Sequence, residues 1–202
     1  SGHDSIESAS AKKYGVAVTI VPNETTSNAV ARHAFAMLLC LTNNLLNQTK
    51  TLSKGNWSKV FNFSPIYTKV GVVGFGRIGQ RFAEMCDYHG FQINYFSRRN
   101  HLIDNYTWYN NIEQIVENSD ILSIHLNLNN LTKGIFDKQL LKKLKNKILI
   151  NTSRGGLVDE VALKSYLDDG FILGAGLDVF VDEPIFGNSS LLASARNVIC
   201  TS

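Results

Sequence analysis

Gly74-Phe75-Gly76-Arg77-Ile78-Gly79 follows a run of apolar positions, 69–74, and opens an amphipathic segment, 79–89. Glycines in this pattern are weak evidence alone, because tight turns use them without binding anything. Here they stand between a buried strand and a helix start, the context of a dinucleotide-binding turn. Gly74 permits the turn, Gly76 lets a pyrophosphate approach the backbone, and Gly79 lets helix and strand pack closely. The helix start at Arg77 and Ile78 supplies free N–H groups that suit phosphate oxygens.

Downstream of this turn, short apolar runs alternate with amphipathic ones. Residues 69–74, 91–96, 121–125, 147–151, 173–179 and 197–201 read as strands. Each is apolar on consecutive positions, as a strand buried on both faces must be. Helical patterns fill 79–89, 112–118, 137–144 and 160–168. Such alternation predicts an α/β fold with a parallel, doubly wound sheet and right-handed crossovers, a Rossmann-type dinucleotide-binding domain.

The second strand ends Tyr95-Phe96-Ser97-Arg98-Arg99. An enzyme that uses NAD normally offers a carboxylate near this point to the ribose 2′-hydroxyl. A carboxylate repels a 2′-phosphate, whereas Ser97 with Arg98 and Arg99 can bind one through charge-assisted hydrogen bonds. The strand end therefore reads as NADP preference over NAD; the alternative is that both arginines simply face water.

The first 68 residues differ in pattern. Residues 16–21 read as a strand ending at Pro22, and Ser27 or Asn28 can cap a helix running from about 28 to 46. That helix is apolar nearly all round, through Ala29, Val30, Ala34, Phe35, Ala36, Met37, Leu38 and Leu39. One sheet cannot cover every face, so another domain or a second subunit is expected against it, most simply in a homodimer. Residues 54–67 read as an irregular connection anchored by Trp57 and Pro65.

Composition sets the class. Of 202 residues, 44% are hydrophobic and 18% charged, the balance of an ordinary globular protein. A formal charge of +3 is too small to argue for nucleic acid, and Lys142, Lys143, Lys145 and Lys147 read as a solvated helix end. Cys40, Cys86 and Cys200 are few and widely spaced, which suits reduced thiols better than a disulfide frame or zinc site. The longest apolar stretch, 34–41, is too short to span a bilayer, so no membrane partner and a cytoplasmic protein are expected.

Three later segments sharpen the reading. Residues 148–151 empty into Thr152-Ser153-Arg154-Gly155-Gly156; Gly174-Ala175-Gly176-Leu177-Asp178 leads to Asp182-Glu183-Pro184; and 197–202 form a last strand. With Gly2-His3-Asp4, Asn28 through His33, Ser119 through His125 and Leu157-Val158-Asp159-Glu160, they give the chain a close similarity to the D-isomer-specific 2-hydroxyacid dehydrogenases. The resemblance implies that Arg154 holds the carboxylate of a small 2-oxo acid and polarises its keto oxygen, the task of a planar guanidinium fork. It implies that Glu183 is the acidic partner of a catalytic histidine, raising its pKa and orienting it. Asp178 matches a residue near the nicotinamide carboxamide, His125 a wall residue on the cofactor side, and Thr152 and Ser153 line the cofactor.

The resemblance also implies a histidine directly after the final strand, where these residues stop at Thr201-Ser202. Residues 1–25 then read as the end of a truncated substrate domain and 26–202 as the dinucleotide-binding domain. A polypeptide of these residues alone is expected to bind cofactor without appreciable turnover. Arg32 departs from the family, which usually has glutamate there. Two functional classes follow: an NAD(P)-dependent dehydrogenase acting on hydroxypyruvate, glyoxylate or pyruvate, or a non-catalytic nucleotide-sensing module or corepressor on the same fold.

Overall fold

The computed structural model describes residues 6–19, 24–57, 59, 62–185 and 197–202. Seven parallel strands form one sheet in the order β3-β2-β1-β4-β5-β6-β7. They are β1 Lys69–Val73, β2 Gln92–Phe96, β3 Tyr106–Tyr109, β4 Ile121–Ile124, β5 Ile148–Asn151, β6 Gly174–Leu177 and β7 Val198–Cys200. The helices are α1 Ser8–Lys13, α2 Glu24–Thr42, α3 Leu45–Ser53, α4 Arg77–Tyr88, α5 Ile112–Glu117, α6 Lys138–Leu141 and α7 Glu160–Asp168.

The sheet has a core on each face, which is why its strands read as continuous apolar runs. Val70, Val72, Ile121, Ile148 and Ile150 point toward one face and pack with Leu38 of α2 and Phe82 of α4. Val73, Leu122, Ile124 and Leu149 point to the other and pack with Ile115 of α5, Leu141 of α6 and Leu163 of α7. The order reverses between β1 and β4, so α4 and the loop after β4 leave the sheet on either side of a crevice.

Six of the seven strands fall where the apolar runs place them; β3 was not foreseen. Its Tyr106-Thr107-Trp108-Tyr109 has strand-forming residues but lies at the sheet edge and is only partly buried, so it lacks the apolar run that marks the others. The long helix also differs from expectation. It begins by Glu24 and ends at Thr42 rather than running from 28 to 46. Thr42 Oγ1 donates to the Leu38 carbonyl and Asn43 Nδ2 to that of Leu39, and Asn44 turns left-handed at φ 51° before α3 starts. Asparagine tolerates that conformation better than most residues, so the chain breaks there.

Other expectations need correction. Val16 and Val18 are exposed, and 16–19 are not in a strand; residues 20 and 21 lie outside the described set, as does His3. Trp57 is 86% exposed, a surface residue rather than an anchor of this connection. The segment read as irregular, 54–67, ends in a single 3₁₀ turn, Pro65–Tyr67. Of the four lysines read as solvated, Lys143 bridges Glu113 and Glu117 of α5, and Lys147 donates to the carbonyls of Glu117 and Ser119. Burial there lowers the Lys147 pKa against the pull of Asp120 and Glu117. The α2 face is buried at Ala31, Ala34, Phe35, Leu38 and Leu41, while Ala29 and Ala36 remain exposed.

Cys40, Cys86 and Cys200 are free thiols, and no group of metal-ligating side chains occurs among the described residues. No single described helix is long and apolar enough to cross a membrane; α2 and α3 would pass only as a pair bent by 52°, and α2 is packed on the sheet.

Candidate functional site

The carboxyl ends of the strands gather most of the residues singled out by the sequence. Between β1 and α4 the three glycines meet three different surroundings. Gly74 has φ +101°, and a side chain there would lie 2.6 Å from the His125 carbonyl oxygen. Gly79 sits so close to the turn that a Cβ would lie 2.2 Å from the Gly74 oxygen. At Gly76 a Cβ would meet nothing within 4 Å. Gly76 is also the N-cap of α4, with no side-chain cap, and no described side chain bonds the first-turn amides. The N–H groups of Arg77, Ile78 and Gly79 have no intrahelical acceptor, and the helix dipole adds partial positive charge at that end. Space and donors together fit an anionic group such as a pyrophosphate.

The loop after β2 is built with equal definition. The Tyr95 ring is fully buried, and its hydroxyl donates to Asn100 Oδ1 at 2.6 Å and accepts from His101 N–H at 3.0 Å. Ser97 Oγ donates to the Arg99 carbonyl, and Trp108 Nε1 donates to the Ser97 carbonyl at 3.1 Å. Phe75, the residue between the first two glycines, stacks on Tyr95 with centroids 4.2 Å apart. Arg98 and Arg99 leave this pinned backbone exposed and enter no ion pair among the described residues.

Across the crevice, β4, β5 and β6 deliver the remaining candidates. Ser153 Oγ donates to the Ile124 carbonyl at 2.8 Å, Ser153 N–H donates to Asn151 Oδ1, and Asn151 Nδ2 donates to the Arg154 carbonyl. This closes the turn from which the half-buried Arg154 extends, with Nη1 donating back to the Ser153 carbonyl at 2.6 Å. Gly155 is pressed against the next loop: a Cβ would lie 1.9 Å from the Phe180 carbonyl carbon. That loop is held by two carboxylates. Glu183 Oε1 accepts from Phe180 N–H at 2.8 Å, and Glu160 Oε1 accepts from Val181 N–H at 2.7 Å. The turn bearing Arg154 and the loop bearing Glu183 are therefore in backbone contact. Desolvation first, then Asp182 and Glu183, raise the Glu160 pKa, against the hydrogen bond from Val181.

Two buried polar atoms at these strand ends, His125 Nδ1 and Thr152 Oγ1, have no hydrogen-bond partner among the described residues. Leaving such an atom unpaired costs about 1–3 kcal/mol, so a polar group or solvent belongs beside each. His125 Nε2 pairs with Ser123 Oγ at 2.9 Å, its ring packs on Phe82, and burial lowers its pKa to about 3. It is neutral at physiological pH and unsuited to donate a proton as an acid. Among the described residues no imidazole pairs with Glu183.

Sequence reasoning missed three contributors. His33, read only as part of the long helix, reaches Thr201 and Asp178; Glu160, read as a helix start, supports the 180–181 backbone; Tyr95 holds the loop of Ser97. A different cleft of about 750 Å³ lies between α2 and α4, lined by Thr25, Asn28, Arg32, Arg81 and Tyr88. It sits by the far end of α4 from Gly76 and holds none of the candidate residues.

Comparison with known proteins agrees with this fold. A family model described as D-isomer specific 2-hydroxyacid dehydrogenase, NAD binding domain, matches residues 35–202. A glyoxylate reductase from Thermococcus litoralis is 36% identical over 98% of this chain and 63% of its own length. A glycerate dehydrogenase from Methylorubrum extorquens is 34% identical over 99% of this chain and 65% of its own length. The chain thus spans less than two thirds of these relatives. Among solved structures, a D-isomer specific 2-hydroxyacid dehydrogenase from Xanthobacter autotrophicus in complex with NADPH superposes with a TM-score of 0.84 at 28% identity, covering 91% of this chain and 77% of that one. An NADPH-dependent glyoxylate/hydroxypyruvate reductase from Sinorhizobium meliloti gives 0.84 at 26% identity, over 90% of this chain and 60% of that one. The chain belongs to the D-isomer specific 2-hydroxyacid dehydrogenase family and carries its NAD-binding domain.

Proposed function

We propose that this chain is the cofactor-binding part of an oxidoreductase that interconverts a small 2-oxo acid and its D-2-hydroxy acid. The carrying observation is the backbone contact of Gly155 with Phe180, which sets the Arg154 turn beside the loop of Glu183 at the ends of neighbouring strands. A guanidinium there binds a planar carboxylate by two parallel hydrogen bonds and stabilises negative charge growing on the adjacent keto oxygen. Glu183 is suited to orient and charge an imidazole placed against it. The relatives named for glyoxylate, hydroxypyruvate and glycerate support a substrate of two or three carbons. When bound, a nicotinamide dinucleotide supplies or accepts the hydride. Gly74, Gly76, Arg77, Ile78 and Gly79 would hold its pyrophosphate, and His125, Thr152, Ser153 and Asp178 would line its nicotinamide side. Residues before α2, exposed at Ile6, Tyr14, Val16 and Val18, are assigned to a separate substrate-domain unit, so the boundary expected at 25 moves to the start of α2 at Glu24.

We infer further that NADP is preferred over NAD. Ser97, Arg98 and Arg99 follow β2 with no carboxylate among them, and both guanidinium groups are exposed and enter no ion pair among the described residues. Fluorescence titration with both reduced cofactors tests this and the cofactor reading together. NADPH is expected to bind about tenfold or more tightly, in line with charge-assisted contacts of roughly 1.5–3 kcal/mol. Equal affinities or an NADH preference would overturn the inference, and Ser97→Asp with Arg98→Ala is expected to reverse the order.

The outward face of α2 supports a homodimer. Ala29 and Ala36 are exposed there, and Val30, Leu39 and Cys40 are only partly covered. Sedimentation at micromolar concentration is expected to show a dimer, and Ala36→Glu is expected to shift it toward monomer. A clean monomer in the parent chain would count against pairing through this face.

A further inference from the structure

Away from its apolar packing, α2 is tied to the strand ends by one polar cluster drawn from three elements. His33 lies on α2, Asp178 follows β6, and Thr201 follows β7. His33 Nε2 stands 2.9 Å from Thr201 Oγ1 and 3.3 Å from Asp178 Oδ1. Thr201 Oγ1 donates to the same Oδ1 at 2.5 Å. With one proton on each donor, the chain runs from His33 Nε2–H to the Thr201 oxygen and from the Thr201 hydroxyl to Asp178. This fixes the His33 tautomer with its proton on Nε2.

The side chains of His33 and Asp178 are 40% and 28% exposed, so a pair of this kind contributes little to stability. Its geometry does something else. Both contacts fall on Oδ1, while Oδ2 accepts no hydrogen bond among the described residues. The hydroxyl of Thr201, itself oriented by His33 Nε2–H, holds Oδ1 and leaves Oδ2 available as an acceptor. Asp178 N–H is itself held by the Asn151 carbonyl at 3.0 Å, so backbone and side chain are both constrained. The strand order places this group on the β4–β6 half of the crevice, opposite the Ser97 loop. If the ribose phosphate of a dinucleotide lies at Ser97, its other end lies over β4–β6. The nicotinamide carboxamide offers N–H donors, and an ionised carboxylate only accepts.

We propose that His33 is a positioning residue for cofactor binding: through Thr201 it holds Asp178 so that Oδ2 accepts from the nicotinamide carboxamide. The proposal rests on the dinucleotide reading above, and the experiment separates the two. The chain is titrated with NADPH and with 2′-phospho-ADP-ribose, which keeps the adenosine and pyrophosphate but lacks the nicotinamide. His33→Ala is expected to weaken NADPH about tenfold and leave 2′-phospho-ADP-ribose within about twofold, the range of a lost hydrogen bond to a charged group. His33→Gln, which restores an N–H donor at similar reach, is expected to recover most of that loss. Thr201→Val, nearly equal in volume, is expected to repeat the selective loss. Equal weakening of both ligands, or no weakening of NADPH in either variant, would overturn the positioning role. If the parent chain binds neither ligand, the dinucleotide reading itself falls and carries this proposal with it.

Discussion

Gly155→Ala is expected to destabilise the chain by about 3 kcal/mol or more, while Gly156→Ala one residue later is expected to cost about 1 kcal/mol or less. The difference lies in what the new methyl group meets. At Gly155 a Cβ would lie 1.9 Å from the carbonyl carbon of Phe180, 2.2 Å from its oxygen and 2.3 Å from Val181 N. All three are backbone atoms, and the peptide they belong to is pinned by Glu183 on one side and Glu160 on the other. The clash can be relieved only by parting the two loops and breaking those carboxylate contacts. At Gly156 the nearest atom is Leu128 Cδ2 at 3.2 Å, the end of a flexible side chain that can turn away. Urea unfolding midpoints of the two variants read the difference directly. Similar midpoints would show that the 154–157 turn yields easily and that Arg154 is not held by this contact. The consequence for chemistry follows from the same geometry. A shift of the turn moves Arg154 relative to Glu183, and misplacement by about 1 Å can cost on the order of 100-fold in rate.

The sheet was legible because burial on both faces leaves an unmistakable mark. Val70, Val72 and Val73 of β1, and Ile148, Leu149 and Ile150 of β5, are apolar in succession since helices cover each side. The edge strand β3 escaped because one side of an edge has no neighbouring strand, and its Trp108 and Tyr109 are only partly buried. The break of α2 at Asn44 was equally hidden: a left-handed residue interrupts a helix without changing its apolar pattern. Local motifs of the site were readable for a similar reason, since each glycine turn must be contiguous in the chain. What joins those motifs was not readable. Gly155 touches Phe180, and His33 reaches Thr201 across 168 residues. Such pairings depend on the packing of α2 and of the strand ends, which no spacing in the sequence encodes. The same limit applies to Lys143, whose two glutamate partners lie on another helix.

A different kind of glycine allows binding to be separated from folding. Gly76→Val is expected to leave the unfolding midpoint within about 0.5–1 kcal/mol of the parent and to weaken NADPH by on the order of 100-fold or more. Stability should be spared because the position is unobstructed: nothing lies within 4 Å of a Cβ there, and the backbone is extended, φ −79° and ψ −168°. A valine adopts that conformation without strain. Binding should suffer because the open space is where an anion would have to stand to reach the first-turn amides of α4. A branched side chain fills that space and shields the first-turn N–H groups behind methyl groups, so a pyrophosphate could not reach them and would be desolvated without hydrogen bonds in return. Gly79→Val supplies the opposite control. Its Cβ would strike the Gly74 oxygen at 2.2 Å, so both stability and binding should fall together. Calorimetric titration alongside thermal unfolding distinguishes the cases. Retained NADPH affinity in a folded Gly76→Val chain would mean that the phosphates do not lie at this helix end, and the assignment of Gly74 through Gly79 to the cofactor would be wrong.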